Sequence, residues 1–157
     1  YTPLVIAITL IVYGILFILI EKTKKDHPKD SLGLITYKDA LLIGIFQVLA
    51  LIPGTSRSGA TILGAILLGA SRTVAAEFSF FLAIPMMFGA SFLKLIKAGF
   101  SWTPFEWSVL ATGTIVAFVV SLLVIRFLMD YVKKHDFTTF AYYRIGLALV
   151  VLTLLFV

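Results

Sequence analysis

Residues 51–64 read LIPGTSRSGATILG, in which Pro53 and Gly54 are followed by Thr55, Ser56, Arg57 and Ser58, then Gly59 and Thr61, with apolar runs on both sides. Pro and Gly end a helix, and Ser58 or Gly59 is expected to open the next one. The first-turn N–H groups of that helix lack intrahelical partners and carry the positive end of its dipole. Such an end binds anions. The hydroxyls of Thr55, Ser56, Ser58 and Thr61 add donors around it. The guanidinium of Arg57 can grip a phosphate with two parallel hydrogen bonds, so the set suits phosphate better than other anions. The alternative is a plain break in a helix, its hydroxyls bonding the freed backbone and Arg57 paired internally with Glu77.

The surroundings are a membrane. Of 157 residues, 61% are hydrophobic and 13% charged, and the mean hydropathy is +1.07; these values lie outside the range of soluble globular domains and predict an integral membrane protein. There is no Cys, so a disulfide framework, a thiolate nucleophile and a Cys metal site are all excluded. The net charge of +5 fits basic loops against anionic headgroups, not a nucleic-acid partner. The first apolar run ends in no small-residue cleavage site, so it reads as a spanning helix and not as a signal peptide. Beginning in mid-stride without Met, the sequence reads as a piece of something longer.

The expected organisation is a single all-α membrane domain. Residues 4–20 form one spanning helix and 21–39, with five Lys, a loop in water or headgroups. Spanning helices follow at 73–97, with Pro85 expected to kink the first of them, at 105–129 and at 139–157. Residues 40–70 hold two apolar runs that reach only about 16 to 20 Å each as helices, too short to cross. Lys and Arg number five in 21–39, two in 94–107 and four in 126–144, which places the first and last of these loops in the cytoplasm. That topology works only if 40–70 enters and leaves by the cytoplasmic face. The expectation is therefore four transmembrane helices and one re-entrant helix pair with its tip at 53–59. Irregular backbone at membrane depth must be buried in protein or line a cavity. An Arg at that depth costs at least a few kcal/mol, which a simple packing break does not require, so the anion site is favoured.

The segments GIFQVLALIPGTSRSGATILG and ASRTVAAEFSFFLAIPMM closely resemble the undecaprenyl-diphosphatase family, the bacitracin-resistance type of lipid pyrophosphate phosphatase, and the likeness runs over essentially the whole chain. The resemblance implies a multi-pass enzyme of the bacterial inner membrane that removes one phosphate from undecaprenyl diphosphate and so recycles the carrier lipid for peptidoglycan synthesis. It implies a fold of two inverted repeats whose re-entrant tips meet in one cavity. This chain matches the second repeat only, half of that fold. The glutamate-rich motif and second tip of the first repeat, which supply acid–base groups and the nucleophile or metal ligands, have no counterpart here. Carried over by resemblance are Arg57 and Ser56 as catalytic residues, with Gly54, Thr55, Ser58, Gly59, Thr61 and Gln47 as substrate-binding residues; Arg57 would stabilise charge on the transferring phosphoryl group. Gln47 occupies the place of a first-repeat glutamate and cannot serve as a base.

Glu77 is the one carboxylate within the apolar run of an expected membrane segment, Glu106 standing at the mouth of another. It reads either as a ligand for a divalent cation, Mg2+ by resemblance, or as a structural partner of Arg57 or Arg72. His27 and His135 read as solvated loop residues. Rival chemistries lack their residues: Ser71-Arg72 has no His after it until His135, and GTSRSGAT lacks the Lys of a Walker A loop. Two functions from different classes remain, a lipid diphosphatase and a lipid-phosphate or anion transporter or flippase on the same scaffold. The partners expected are the lipid diphosphate, membrane lipids and a second copy of the chain replacing the absent repeat.

Overall fold

The computed structural model describes residues 3–23, 27–99 and 101–156. They form six α-helices in chain order: α1 (Pro3–Lys22), α2 (Tyr37–Val48), α3 (Arg57–Leu67), α4 (Arg72–Ala98), α5 (Pro104–Lys134) and α6 (Thr138–Phe156), with single 3-10 turns at Leu32–Leu34 and Leu49–Leu51. In lipid every backbone polar group must be satisfied within the segment, which is why the apolar runs become helices. Four of them, α1, α4, α5 and α6, are long and apolar enough to cross a membrane.

The helix starts are written locally. Thr36 and Asp39 form a reciprocal capping box on α2, and Thr103 and Glu106 form one on α5, with Pro104 in its first turn. Ser71 caps α4 by accepting from Val74 N, and Gly99, at φ +75°, ends it. Pro85 lies inside α4, which continues through it. α5 runs past the expected end at 129 to Lys134, because Lys133 and Lys134 suit the negative end of its dipole.

Glu21 fixes one face of the bundle. Its carboxylate takes Nε and Nη2 of Arg72 and accepts from Phe137 N at 3.0 Å, tying the end of α1 to the starts of α4 and α6. The opposite face carries the 98–104 turn, where Trp102 and Trp107 lie 5.2 Å apart. Both ends of the α2–α3 hairpin belong to the Glu21 face. Lys29 Nζ lies 2.7 Å from Asp39 Oδ1 in the first turn of α2 and donates to Leu68 O just past α3. Backbone bonds from Lys29 N to Gly69 O and from Ser71 N to Lys29 O complete the clasp. The hydrogen bond from Lys29, with those from the Thr36 hydroxyl and N–H, holds the Asp39 carboxyl down at about 2. Lys24 and Lys25, counted above in the basic loop, lie outside the described residues.

The hairpin tip rests on α1: Thr9 Oγ1 lies 2.8 Å from Pro53 O. Thr9 sits about 20 Å along α1 from Lys22, so the tip stops inside the bilayer. Small residues let the helices approach, as membrane packing requires. A Cβ on Gly64 would meet the Phe46 ring at 2.6 Å, between α3 and α2, and one on Gly14 would meet Ile145 at 2.7 Å, between α1 and α6. α1 and α6 form the most extensive pair, while α5 touches the rest mainly along α4 and leaves most of its surface exposed.

Candidate anion site at the hairpin tip

The break between α2 and α3 is built from residues that cannot continue a helix. Ile52 is extended, Thr55 N closes a turn on Ile52 O at 3.1 Å, and Gly54 sits at φ +86°. A side chain there would be strained and would also run into Thr9 Oγ1 and the Ile6 backbone, so glycine is required twice over. α3 opens earlier than expected. Ser56, not Ser58 or Gly59, is the N-cap: its Oγ accepts from Gly59 N at 3.1 Å and lies 3.1 Å from Ser58 Oγ. Ser is a preferred cap and satisfies the third N–H of the turn, which moves Arg57 and Ser58 into the helix and leaves their N–H groups as the open anion donors.

Against this N-terminus lies a residue absent from the expected set, Arg144 of α6. Its Nη2 donates to Gly54 O at 3.0 Å, its guanidinium stacks 5.4 Å above the centre of the Tyr13 ring, and its Nε is buried with no hydrogen-bond partner among the described residues. Only 9% of Arg144 is exposed. Gly59 makes room for it, since a Cβ there would stand 3.2 Å from Arg144 Nη1. In the sequence Arg144 falls with the basic 126–144 segment. Helix α6 instead begins at Thr138, which carries Arg144 more than a turn into an apolar helix, where a lone cation signals function.

Arg144 and the tip share a cavity of about 440 Å3. Gly54, Thr55, Ser56, Ser58 and Gly59 line its polar end, with Ser79 beside them; Leu10, Phe17, Ile62, Phe80 and Phe137 are among its apolar walls. Among the described residues no Asp, Glu or His lines it. The cavity is therefore an electropositive end of an apolar pocket: one buried guanidinium, free helix N–H groups and the hydroxyls of Thr55, Ser56, Ser58, Ser79 and Tyr143, with no carboxylate or imidazole among the described residues that line it.

Four of the expected residues stand elsewhere. Arg57, in the first position of α3, does not line this cavity; its Nη1 is buried without a partner among the described residues. Gln47 of α2 is likewise off the cavity, with its Oε1 buried and unpartnered. Thr61 is fully buried, its hydroxyl engaged with Arg57 O, Ser58 O and, at 2.7 Å, Ser79 Oγ. A hydroxyl so occupied fastens α3 to α4, and its single O–H is already engaged and not offered to a phosphate. Glu77 lies in a groove between α4 and α5, paired with neither Arg57 nor Arg72, because Arg72 is held by Glu21. The helix-break alternative with an Arg57–Glu77 pair is thus not what the chain forms. Of the two histidines, His135 is exposed and stacks on Tyr131, whereas His27 is partly buried with Nδ1 shielded from solvent.

Among the described residues no three His, Asp or Glu side chains come together as a metal site. Mg2+ is commonly held by one or two carboxylates plus phosphate oxygens. Among the described residues, Glu77 with no second carboxylate in its groove, and the cavity with none, do not make up such a set.

The sequence of residues 1–150 matches the family described as "Bacitracin resistance protein BacA". The chain belongs to the BacA family. Within that family it is 63% identical over 156 residues to undecaprenyl-diphosphatase 1 of Clostridioides difficile (strain 630), covering 99% of this chain and 57% of that protein. It is 59% identical over 154 residues to the undecaprenyl-diphosphatase of Enterococcus faecalis (97% of this chain, 56% of the other). Against the undecaprenyl-diphosphatase of Acetivibrio thermocellus the identity is 60% over 156 residues (96% and 56%). The chain thus spans a little over half the length of these BacA relatives. Membership, with four spanning-length helices, makes it a multi-pass membrane protein.

Proposed function

We propose that this chain is the C-terminal part of an undecaprenyl-diphosphatase and that its hairpin tip binds the diphosphate headgroup. The observation that carries this reading is Arg144: a guanidinium nine-tenths buried in an apolar cavity, with no acidic partner there and set against the open N-terminus of α3. A buried cation without an anion is costly and is explained by an anionic ligand. The names of the relatives, undecaprenyl-diphosphatase, supply the ligand class.

In the hydrolysis, water oxygen bonds to the terminal phosphorus, the bond from that phosphorus to the bridging oxygen breaks, and undecaprenyl phosphate leaves with inorganic phosphate as the second product. Arg144 and the N–H groups of Arg57 and Ser58 would hold phosphate oxygens and oppose the charge that develops on them. Arg57 would act from the other side of the tip, toward groups outside this chain. The proton acceptor for water, and the carboxylates for any Mg2+, would come from the remainder of the longer protein. The excess of Lys beside the clasp supports a cytoplasmic position for the hairpin's open end, in a bacterial inner membrane.

A lipid-phosphate transporter is the second reading, favoured by the absence of any carboxylate or His from the cavity lining. Phosphate release from undecaprenyl diphosphate in detergent, with and without Mg2+, separates the two. Release by the full-length protein, and none by this chain alone, is expected; diphosphate binding without release by the full-length protein would turn the assignment to transport.

A further inference from the structure

The cavity at the tip is too small for its proposed ligand. About 440 Å3 encloses a drug-sized molecule, so a diphosphate and the first part of a polyprenyl chain fill it, and the remaining chain must leave by a defined path. One path adjoins the cavity directly. A groove of about 730 Å3 runs between α4 and α5, and Phe80 lines both the groove and the cavity, so its ring is the partition between them. Phe81, Ile84 and Met87 form one wall of the groove and Phe118, Ser121 and Ile125 the other, each set spaced by three or four residues and so forming one stripe on its helix. Phe81, Ile84, Met87 and Phe118 are more than half exposed. The single charge, Glu77, sits at the end nearest the Glu21 face; from Phe80 to Met87 the groove leads about 10 Å deeper into the bilayer with no charged residue among its lining.

We infer that the α4–α5 groove carries the isoprenoid tail of the diphosphate lipid, entering past Phe80, and that the groove sets chain-length preference. The inference rests on the diphosphate reading of the tip. Its occupant follows from continuity with that site and from a wall that is apolar from Phe80 to Met87 and, but for Ser121, from Phe118 to Ile125, which suits a hydrocarbon chain and offers little to a polar or charged segment.

Two measurements on the full-length protein test it. In the first, a prenyl diphosphate bearing a benzophenone on its distal tail is crosslinked and the adduct mapped by mass spectrometry. Labels on α4 and α5 within 80–87 and 118–125 are expected; labels confined to other segments overturn the inference. This readout needs no turnover, so it stands even where phosphate release, and with it the hydrolase reading, fails. In the second, kcat/KM is compared for undecaprenyl and farnesyl diphosphate. Ser121→Trp, which fills the groove, should lower the long-to-short ratio about tenfold, through KM, the size expected for lost contacts in an apolar pocket. Val119→Trp, on the exposed face of α5 outside the groove, should leave the ratio where wild type has it. A wild-type ratio in Ser121→Trp contradicts the proposal. If Ser121→Trp yields no folded protein, the smaller Ser121→Leu decides: an unchanged ratio there assigns the groove to packing against the rest of the protein.

Discussion

At the scale of single residues, Arg144 does most to define the site. It bonds the Gly54 carbonyl, stacks on Tyr13 and sets its Nη1 beside Gly59 in the first turn of α3. Replacing it with Ala in the full-length protein should lower kcat/KM for undecaprenyl diphosphate by on the order of 100-fold, the loss typical of removing one preorganised charge-stabilising donor. Lys should restore little, since an ammonium cannot reproduce the planar fork. Gly54 is testable by stability alone: Gly54→Ala is expected to cost about 1 to 3 kcal/mol from the positive φ, with the Thr9 and Ile6 collision in addition, read as a lower unfolding midpoint in detergent. The tip motif was legible in the sequence because Pro, Gly and hydroxyl residues announce a break and a cap. Arg144 was not, because it lies 90 residues from the Gly54 carbonyl it binds; the available signal, a cation more than a turn inside an apolar helix, depended on where α6 begins. Thr61 shows the opposite error, a hydroxyl in the right segment whose helix face turns it inward to Ser79.

At the scale of elements, the hairpin depends on two fastenings. One is the Thr61–Ser79 hydroxyl pair joining α3 to α4. Thr61→Val strands the buried Ser79 hydroxyl and should cost about 1 to 3 kcal/mol, whereas adding Ser79→Ala should recover much of it, as a thermal double-mutant cycle will show. The other is the Lys29 clasp on Asp39 and Leu68. The Asp39 carboxyl titrates near 2 when folded, against an ordinary value of 3.8, so its stabilisation is fully present above about pH 4 and is lost as the pH falls toward 2. Hydrogen exchange at residues 27–36 should rise across that window in wild type, while Lys29→Ala should show raised exchange already at neutral pH. Helix lengths and polar loops made the spanning elements readable, since hydropathy and capping residues are local. α3 opens at Arg57, one or two positions before the Ser58 or Gly59 expected, because Ser56 Oγ caps Gly59 N, a contact that exists only in the folded turn.

For the whole molecule, the described residues set a buried guanidinium at the hairpin tip with no carboxylate or His beside it. The cavity offers Arg144, helix N–H groups and hydroxyls; Glu77 is in a separate groove, and the BacA relatives are longer by nearly half their length. The chain spans a little over half the length of its relatives, which is why composition and motif identify the family while no carboxylate or His among the described residues stands beside the cavity. The broad exposed faces of α4 and α5 are apolar surface that lipid, substrate tail and the remainder of the protein must share. The account is tested most directly by the dissociation constant of undecaprenyl diphosphate for the full-length protein, wild type against Arg144→Ala, with folding checked by unfolding midpoint. The prediction is binding weakened by at least about tenfold in a protein that remains folded, as expected when a buried charge-assisted contact is removed. Unchanged affinity in a folded Arg144→Ala protein would contradict the placement of the diphosphate at the hairpin tip.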